Sequence, residues 1–295
     1  MITAPDRLLR RLEWRLGRRL DGRLQGSYRT VWHGTGIDFT DLRVYTPEDD
    51  VRHIDWNVTA RLDEPFIRQY TEDREMTAWL VIDRSASMRF GGVLGKESVA
   101  TELAVSLGRL VAQGGNRVGA ILYDNGGHRV IPPRTGRDQI LRITGELLRP
   151  AASTGPGATT DLAAMLRLAA ATTTRRRSLV FVMSDFIGDP DWDRPLAMLT
   201  HRHEVVVIRV VDPAELELPD LGLILVEDAE TGEQLLVDTS DPLLRGRLAT
   251  QVGAREEALA EAMRRAGVDA HRITTDQDLL AALVEMVRHS GRRRR

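Results

Sequence analysis

The stretch that decides the fold is Thr77-Ala78-Trp79-Leu80-Val81-Ile82-Asp83-Arg84-Ser85-Ala86-Ser87. Its first six residues form a compact apolar run rich in β-branched and aromatic side chains, and a loop of Asp and Ser follows at once. Such a run is typical of a strand that is covered on both faces, as in a parallel sheet. A helix is predicted from Glu97 to Gln113, because apolar residues recur there at helical spacing and Gly114 follows.

The rest of the chain continues this alternation of strands and helices. Strands are predicted at residues 117–123, 178–183, 204–211 and 270–275, and helices at 139–148, 162–171, 248–263 and 279–287. A short strand at 129–132 forms a hairpin with the strand at 117–123, and a second, inserted hairpin joins 223–227 to 234–238. This order favours an α/β fold with a doubly wound, mainly parallel central sheet flanked by helices.

The predicted domain organisation has three parts: an N-terminal segment at 1–76, the α/β domain at 77–290, and a basic tail at 291–295. The first part begins with a helix from Arg7 to Leu24, in which a leucine recurs at every fourth position between arginines. We interpret this helix as packing on its own domain. The alternative is an interfacial helix that contacts anionic lipid or a partner. Two short strands, 37–42 and 66–70, follow in the same segment.

The composition argues against several classes of protein. The chain has 41 Lys and Arg residues against 43 Asp and Glu residues, so no large net positive charge attracts it to nucleic acid. The absence of cysteine excludes disulfides and Cys-ligated zinc, and we expect a cytoplasmic location. The first 24 residues contain no apolar run of the length that a signal peptide or membrane span requires. Lys96 is the only lysine, which we attribute to a GC-rich genome.

Three motifs fall where predicted strands end or helices begin. They are Asp83-Arg84-Ser85-Ala86-Ser87, Gly157-Ala158-Thr159-Thr160-Asp161 and Ser184-Asp185. Because the carboxyl ends of parallel strands share one edge of a sheet, the three loops bring hydroxyls and carboxylates together. Mg²⁺ prefers such oxygen ligands, retains several waters and leaves a position open, and Mn²⁺ is the alternative. The sequence therefore predicts a cation site that captures an external carboxylate.

This order of Asp-x-Ser-x-Ser, a later Thr and a later Asp resembles the metal-ion-dependent adhesion site of von Willebrand factor A-type domains. The ligand set that the resemblance implies is Asp83, Ser85, Ser87, Thr160 and Asp185. The three hydroxyls would bind the cation directly, and one or both carboxylates would bind through water. Thr159 is the neighbouring alternative to Thr160. The ordinary alternative is that these Asp and Ser side chains only cap the following helices.

The segment before the α/β domain is similar to domain-of-unknown-function family 58, on account of Asp49-Asp50-Val51-Arg52-His53-Ile54-Asp55-Trp56 and Thr59-Ala60-Arg61. Glu48 departs from the Gly that this family usually carries in the preceding turn. We interpret the charged side chains here as an ion-pair network that holds the segment to the sheet, with a catalytic or partner-binding face as the alternative. These side chains are Asp49, Asp50, Arg52, Asp55 and Arg61.

The function predicted from these features is a non-enzymatic interaction protein. The family resemblance implies a MoxR-type AAA+ ATPase as partner and a role as adaptor or cochaperone, and no Gly-x-x-x-x-Gly-Lys-Ser/Thr loop is present for nucleotide chemistry. The alternative is a metal-dependent hydrolase of phosphate or ester substrates. All seven histidines lie outside the three motifs, and His201 and His203 are predicted to be surface residues flanking a strand.

Overall fold

The computed structural model describes residues 36–46, 49–62, 64–73, 76–91, 95–124, 126–151, 161–173, 176–188, 190–227 and 233–292. The chain separates into two compact units, of which the smaller spans residues 32–76 and the larger contains residues 77–295. The predicted helix from Arg7 to Leu24 lies outside the described residues, and so do Thr159 and Thr160. Each unit is considered by itself.

The smaller unit is built on one antiparallel strand pair. Strand β1 (Gly36–Val44) pairs with β2 (Phe66–Asp73), and helix α1 (Trp56–Leu62) lies between them in sequence. Asp55 begins the helix, because its carboxylate accepts hydrogen bonds from the backbone N–H groups of Asn57 at 3.0 Å and Val58 at 3.3 Å.

Two further acidic side chains of the predicted charged cluster, Asp49 and Asp50, bind arginines close to them in sequence. The Arg43 guanidinium donates to Asp49 at 2.5 Å, and the Arg52 guanidinium donates to Asp50 at 2.8 Å. The Arg43 hydrogen bond holds the pKa of Asp49 well below its usual range. These carboxylates therefore stabilise local turns of their own unit.

The larger unit contains the predicted central sheet. In chain order its strands are β3 (Thr77–Asp83), β4 (Arg117–Asp124), β5 (Gly127–Arg134), β6 (Leu179–Ser184), β7 (Glu204–Val211), β8 (Leu223–Glu227), β9 (Gln234–Asp238) and β10 (Asp269–Thr274). Six of them form one sheet in the order β10-β7-β6-β3-β4-β5, in which only β5 runs antiparallel to its neighbour. The doubly wound, mainly parallel sheet is confirmed, and β8 and β9 form the separate hairpin that the sequence predicted.

The helices described in the larger unit are α2 (Lys96–Gln113), α3 (Arg137–Leu147), α4 (Leu162–Thr172), α5 (Asp193–Arg202), α6 (Pro213–Leu216), α7 (Pro242–Arg265) and α8 (Leu279–Arg292). The sequence analysis did not predict α5 or the short α6. Within the described residues, no helix combines the length and the apolar character that crossing a membrane requires.

The buried strands fill the core as their composition predicts. Every residue of β6 is buried, and β3 is buried from Ala78 to its end. Trp79 packs in this core, as predicted, and Trp192 is buried there too, with its ring 5.0 Å from that of Phe186. In the smaller unit, Trp56 is 68% exposed.

The expectation that His203 lies on the surface is wrong, because this side chain is only 4% exposed. Its Nδ1 accepts the N–H of Ser178 at 3.2 Å, and its Nε2 lies 3.1 Å from the hydroxyl of Thr173. That hydroxyl donates to the Ala169 carbonyl, so it accepts from Nε2 and the ring is neutral. Burial, together with Arg202 and Arg177, lowers the pKa of His203.

The strand order fixes where a ligand can enter. From β3 the chain proceeds to β4 and β5 on one side of the sheet, and the later strands β6, β7 and β10 all lie on the other side. Strands β3 and β6 are therefore adjacent at the point where the order reverses. Helices leave the carboxyl ends of such strands in different directions, which opens a crevice between the loops that follow. Asp83 ends β3 and Ser184 ends β6, so both lie at this point.

Candidate metal site

The ends of β3 and β6 are joined through the carboxylate of Asp83. One of its oxygens, Oδ1, accepts the backbone N–H of Ser85 at 2.9 Å, which shapes the loop after β3 into a tight turn. Its other oxygen, Oδ2, accepts the hydroxyl of Ser184 at 2.6 Å. Asp83 and Ser184 are almost completely buried. The carboxylate is therefore held in place by groups from both strands.

The two serine hydroxyls of the first motif lie side by side. The Oγ atoms of Ser85 and Ser87 are 3.0 Å apart, and both side chains are buried. One hydroxyl donates to the other, which leaves lone pairs on both oxygens. Ser87 also begins a single 3₁₀ turn, Ser87–Arg89, which fixes the backbone that carries this pair. The loop thus presents two neutral oxygen donors beside the carboxylate of Asp83.

Asp185 is the second carboxylate of the site, directly after β6. Its Oδ1 accepts the N–H of Ile187 at 3.0 Å, and the hydroxyl of Ser184 accepts the N–H of Phe186 at 3.0 Å. Phe186 has a φ of 56°, in the left-handed region that non-glycine residues rarely adopt. These hydrogen bonds and the packing of its ring on Trp192 hold this turn. Asp185 is therefore fixed at the carboxyl end of the sheet.

The carboxylate of Asp185 is close enough to affect the ionisation of Asp83. Burial, and then the negative charge of Asp185, raise the pKa of Asp83 to about 6. Hydrogen bonds from Ser184 and Ser85 oppose this increase, because they stabilise the ionised carboxylate. Two buried acidic groups that repel each other are an environment in which a cation is electrostatically favoured.

Lys96 provides a positive charge beside this pair that the sequence analysis did not assign to the site. Its side chain is 0% exposed, and its ammonium donates to Asp185 Oδ2 at 2.6 Å and to Glu215 Oε1 at 2.5 Å. Lys96 is the first residue of α2, where the helix dipole disfavours a positive charge. The two carboxylates offset that cost. The available signal was that this is the only lysine in a chain rich in arginine.

Arg209 fixes the backbone at Asp185 from the neighbouring strand β7. Its Nε donates to the Asp185 carbonyl at 3.1 Å, while its two terminal nitrogens donate to the two oxygens of Glu256, each at 2.6 Å. This bidentate pair lowers the pKa of Glu256. Neither residue was predicted, since an Arg within a strand and a Glu within a helix carry no local motif.

Four of the five predicted ligands, Asp83, Ser85, Ser87 and Asp185, lie at the ends of the adjacent strands β3 and β6. The fifth, Thr160, lies outside the described residues, as does its alternative Thr159. The next residue, Asp161, is the N-cap of α4 and accepts the N–H of Ala164 at 2.6 Å.

The donor set decides which kind of cation fits. Among the described residues, no three His, Asp or Glu side chains are placed to hold a metal ion. A cation here would depend on hydroxyls and water together with the two carboxylates. Oxygen donors of this kind fit a hard cation such as Mg²⁺ or Mn²⁺ and do not suit zinc, which favours nitrogen and sulfur.

Comparison with known sequences gives the family. Residues 41–258 match the family described as protein of unknown function DUF58. The chain belongs to the DUF58 family. Uncharacterized proteins of Mycobacterium bovis and Mycobacterium tuberculosis are each 38% identical to this DUF58 chain over 290 residues, which cover 97% of it and 89% of each relative.

Two solved structures are similar in shape to this DUF58 protein. The conserved hypothetical protein BatB from Bacteroides thetaiotaomicron aligns with a TM-score of 0.48 and 15% identity, covering 74% of this chain and 99% of that chain. A von Willebrand factor type A protein from Catenulispora acidiphila aligns with a TM-score of 0.41 and 15% identity, covering 76% of this chain and 44% of that chain.

Proposed function

We propose that this DUF58 protein is a non-enzymatic interaction protein that uses a divalent cation to capture a carboxylate of a partner. The cation, Mg²⁺ or Mn²⁺, is held by Asp83, Ser85, Ser87, Thr160 and Asp185. The partner is an AAA+ ATPase of the MoxR type, which the protein serves as an adaptor or cochaperone. The observation that supports the proposal is the buried pair of carboxylates, Asp83 and Asp185, with the adjoining hydroxyls of Ser85 and Ser87. They lie where the strand order of the sheet reverses, between β3 and β6.

The chemistry of the donors supports capture of an anion. Hydroxyl oxygens are neutral and donate less electron density than carboxylates, so a cation held largely by hydroxyls stays electron-poor. Such a cation acts as a Lewis acid towards an external carboxylate, which supplies a charged oxygen ligand at the remaining position. The residues of this chain would hold the oxygen donors in place around the cation, through the hydrogen bonds that fix Asp83 and Asp185.

Both carboxylates of the candidate site are already engaged in hydrogen bonds. The carboxylates of Asp83 and Asp185 each accept hydrogen bonds on both oxygens, which fixes their positions. The buried His203 lies where Ser178 leads into β6, at the opposite end of that strand from Ser184. A binding role is therefore favoured over water activation.

The test uses the full chain and the variants Ser85→Ala and Ser87→Ala. Each removes one hydroxyl donor without adding bulk, so we expect Mn²⁺ binding in calorimetry to weaken about tenfold or more, as for the loss of one ligand. Ser178→Ala is the matched control, because it removes a buried hydroxyl at the other end of β6, where it donates to the Arg176 carbonyl. The control variant should bind Mn²⁺ like the wild type.

The partner is tested by co-purification of a MoxR-type AAA+ ATPase from the same genome, in Mg²⁺ and in chelator. The proposal expects the complex in Mg²⁺ with the wild type and with Ser178→Ala, and its loss in chelator or with Ser85→Ala. Equal binding in chelator would contradict carboxylate capture. Mg²⁺-dependent turnover of a phosphate or ester substrate that Ser85→Ala abolishes would identify a hydrolase instead.

A further inference from the structure

Lys96 makes the charge of this site unusual. Its ammonium is completely buried and contacts one proposed ligand, Asp185, and one residue outside the ligand set, Glu215. Glu215 lies on α6, where its other oxygen, Oε2, accepts the N–H of Asp212 at 3.2 Å in a capping box. The ammonium is thus held by two carboxylates that come from different parts of the chain.

We propose that Lys96 tunes the proposed cation site for anion capture, by weakening its hold on the cation and strengthening its hold on the external carboxylate. This inference rests on the proposed function. It adds a residue that determines which external ligand the cation-bound site binds. Lys96 affects the cation and the anion in different ways.

The first step is competition for an oxygen. The ammonium of Lys96 donates to Oδ2 of Asp185, while Oδ1 of the same carboxylate accepts the N–H of Ile187. A cation or its bound water that approaches Asp185 therefore meets an oxygen already paired with a positive charge. Because Glu215 also holds the ammonium, Lys96 keeps a carboxylate partner when Asp185 turns to the cation. The competition lowers the cation affinity, and the remaining contact with Glu215 limits that loss.

The second step is the sum of charges. Asp83, Asp185 and Glu215 provide three carboxylates, and Lys96 provides one ammonium, so the ionised cluster carries a net charge of minus two. A divalent cation then makes the cluster neutral, and an incoming carboxylate meets no net repulsion. Without Lys96 the loaded cluster would carry a net negative charge. In a buried site of low polarisability, one unit of charge changes binding by a large factor.

Two substitutions that each remove one charge and roughly keep the size of the side chain should have opposite effects. Lys96→Met removes the positive charge, so we expect tighter cation binding and weaker carboxylate binding, each by about tenfold or more. Glu215→Gln removes a negative charge, so we expect weaker cation binding and tighter carboxylate binding. A purely structural role for Lys96 would not produce opposite signs.

The experiment uses the full chain with MnCl₂ and sodium acetate as probes. Calorimetry gives the Mn²⁺ affinity, and the water-proton relaxation of protein-bound Mn²⁺ gives the acetate affinity, because acetate displaces a bound water. Arg129→Met is the control for loss of a positive charge, since Arg129 is largely exposed on β5 and pairs with Glu146. Its two affinities should stay within about twofold of the wild type.

The outcomes separate this inference from the proposed function. The predicted pair of opposite shifts supports the role of Lys96. If all variants bind Mn²⁺ with the wild-type affinity, or if Lys96→Met binds it more weakly, the inference is overturned while the cation site stands. If no form of the protein binds Mn²⁺, the proposed function itself fails. If Lys96→Met does not fold, Glu215→Gln alone decides, because Glu215 is partly exposed and Lys96 keeps Asp185 as partner.

Discussion

The hydroxyl of Ser184 connects the two central strands, so its removal should be costly. It donates to the carboxylate of Asp83 at 2.6 Å and accepts the N–H of Phe186 at 3.0 Å. Ser184→Ala removes both hydrogen bonds in a place that water does not reach, since Ser184 and Asp83 are at most 1% exposed. The methyl group that remains fits the same space, so no packing is lost.

The magnitude follows from the two bonds. A buried hydrogen bond to a charged group contributes roughly 1.5–3 kcal/mol, and a buried N–H without an acceptor costs about 1 kcal/mol or more. We therefore expect Ser184→Ala to lower the free energy of unfolding of the larger unit by about 3 kcal/mol. This is a large fraction of the 5–15 kcal/mol typical of folded domains, at about 25 °C.

The assay is urea unfolding followed by circular dichroism at about pH 8, where Asp83 is ionised because its pKa is raised only to about 6. Ser178→Ala is the matched variant at the residue just before the same strand, since that hydroxyl donates one hydrogen bond, to the Arg176 carbonyl at 3.0 Å. Its expected cost is about 1 kcal/mol. If both variants lose the same free energy, Asp83 does not depend on Ser184 as described.

Two further predictions concern folding stability. Because burial lowers the pKa of His203 below 6.5, its neutral ring stabilises the fold fully above about pH 6.5, and this contribution is lost as the pH falls below that value. The free energy of unfolding measured in urea should therefore fall more between about pH 7.5 and 5.5 in the wild type than in His203→Gln, and parallel losses would refute this role. Gly119→Ala would place a Cβ 2.9 Å from the ring of Trp79, so we expect a loss of about 1–3 kcal/mol in the same assay. Gly246→Ala, with nothing within 4 Å of its added Cβ, should cause no loss, and a similar loss in both variants would contradict the packing argument.

The elements that the sequence predicted best are those whose signal is local. The apolar runs that form β3, β6 and β7 are buried on both faces. Their β-branched and aromatic residues predict such a buried strand directly. The hairpin of β8 and β9 was predicted with the same bounds, because alternating residues and a polar turn specify it. The short α6 was missed, since four residues are too few for a periodic pattern.

Of the side chains that the structure brings together at the ends of β3 and β6, the sequence singled out only those that follow a strand in a motif. Asp83, Ser85 and Ser87 stand together in sequence, and Asp185 follows a recognisable strand. Lys96 and Glu215 are separated by more than a hundred residues, and only the strand order brings them into contact. The ion pair of Arg209 with Glu256 was missed for the same reason. Side chains that reach a site from distant parts of the sequence are not visible to local patterns.

The ordering of this site is provided by the protein itself. Asp83 is held by Ser184 and by the turn at Ser85, while Asp185 is held by Lys96 and, through its carbonyl, by Arg209. Each of these groups lies on a strand of the central sheet, in the loop that follows a strand, or at the start of a helix packed on the sheet. The sheet therefore holds the donors in fixed positions. A ligand that binds here therefore loses little of its binding free energy to ordering the protein. In the cation site that we propose, charge would then help to distinguish one ligand from another, and the buried ammonium of Lys96 would contribute to that charge.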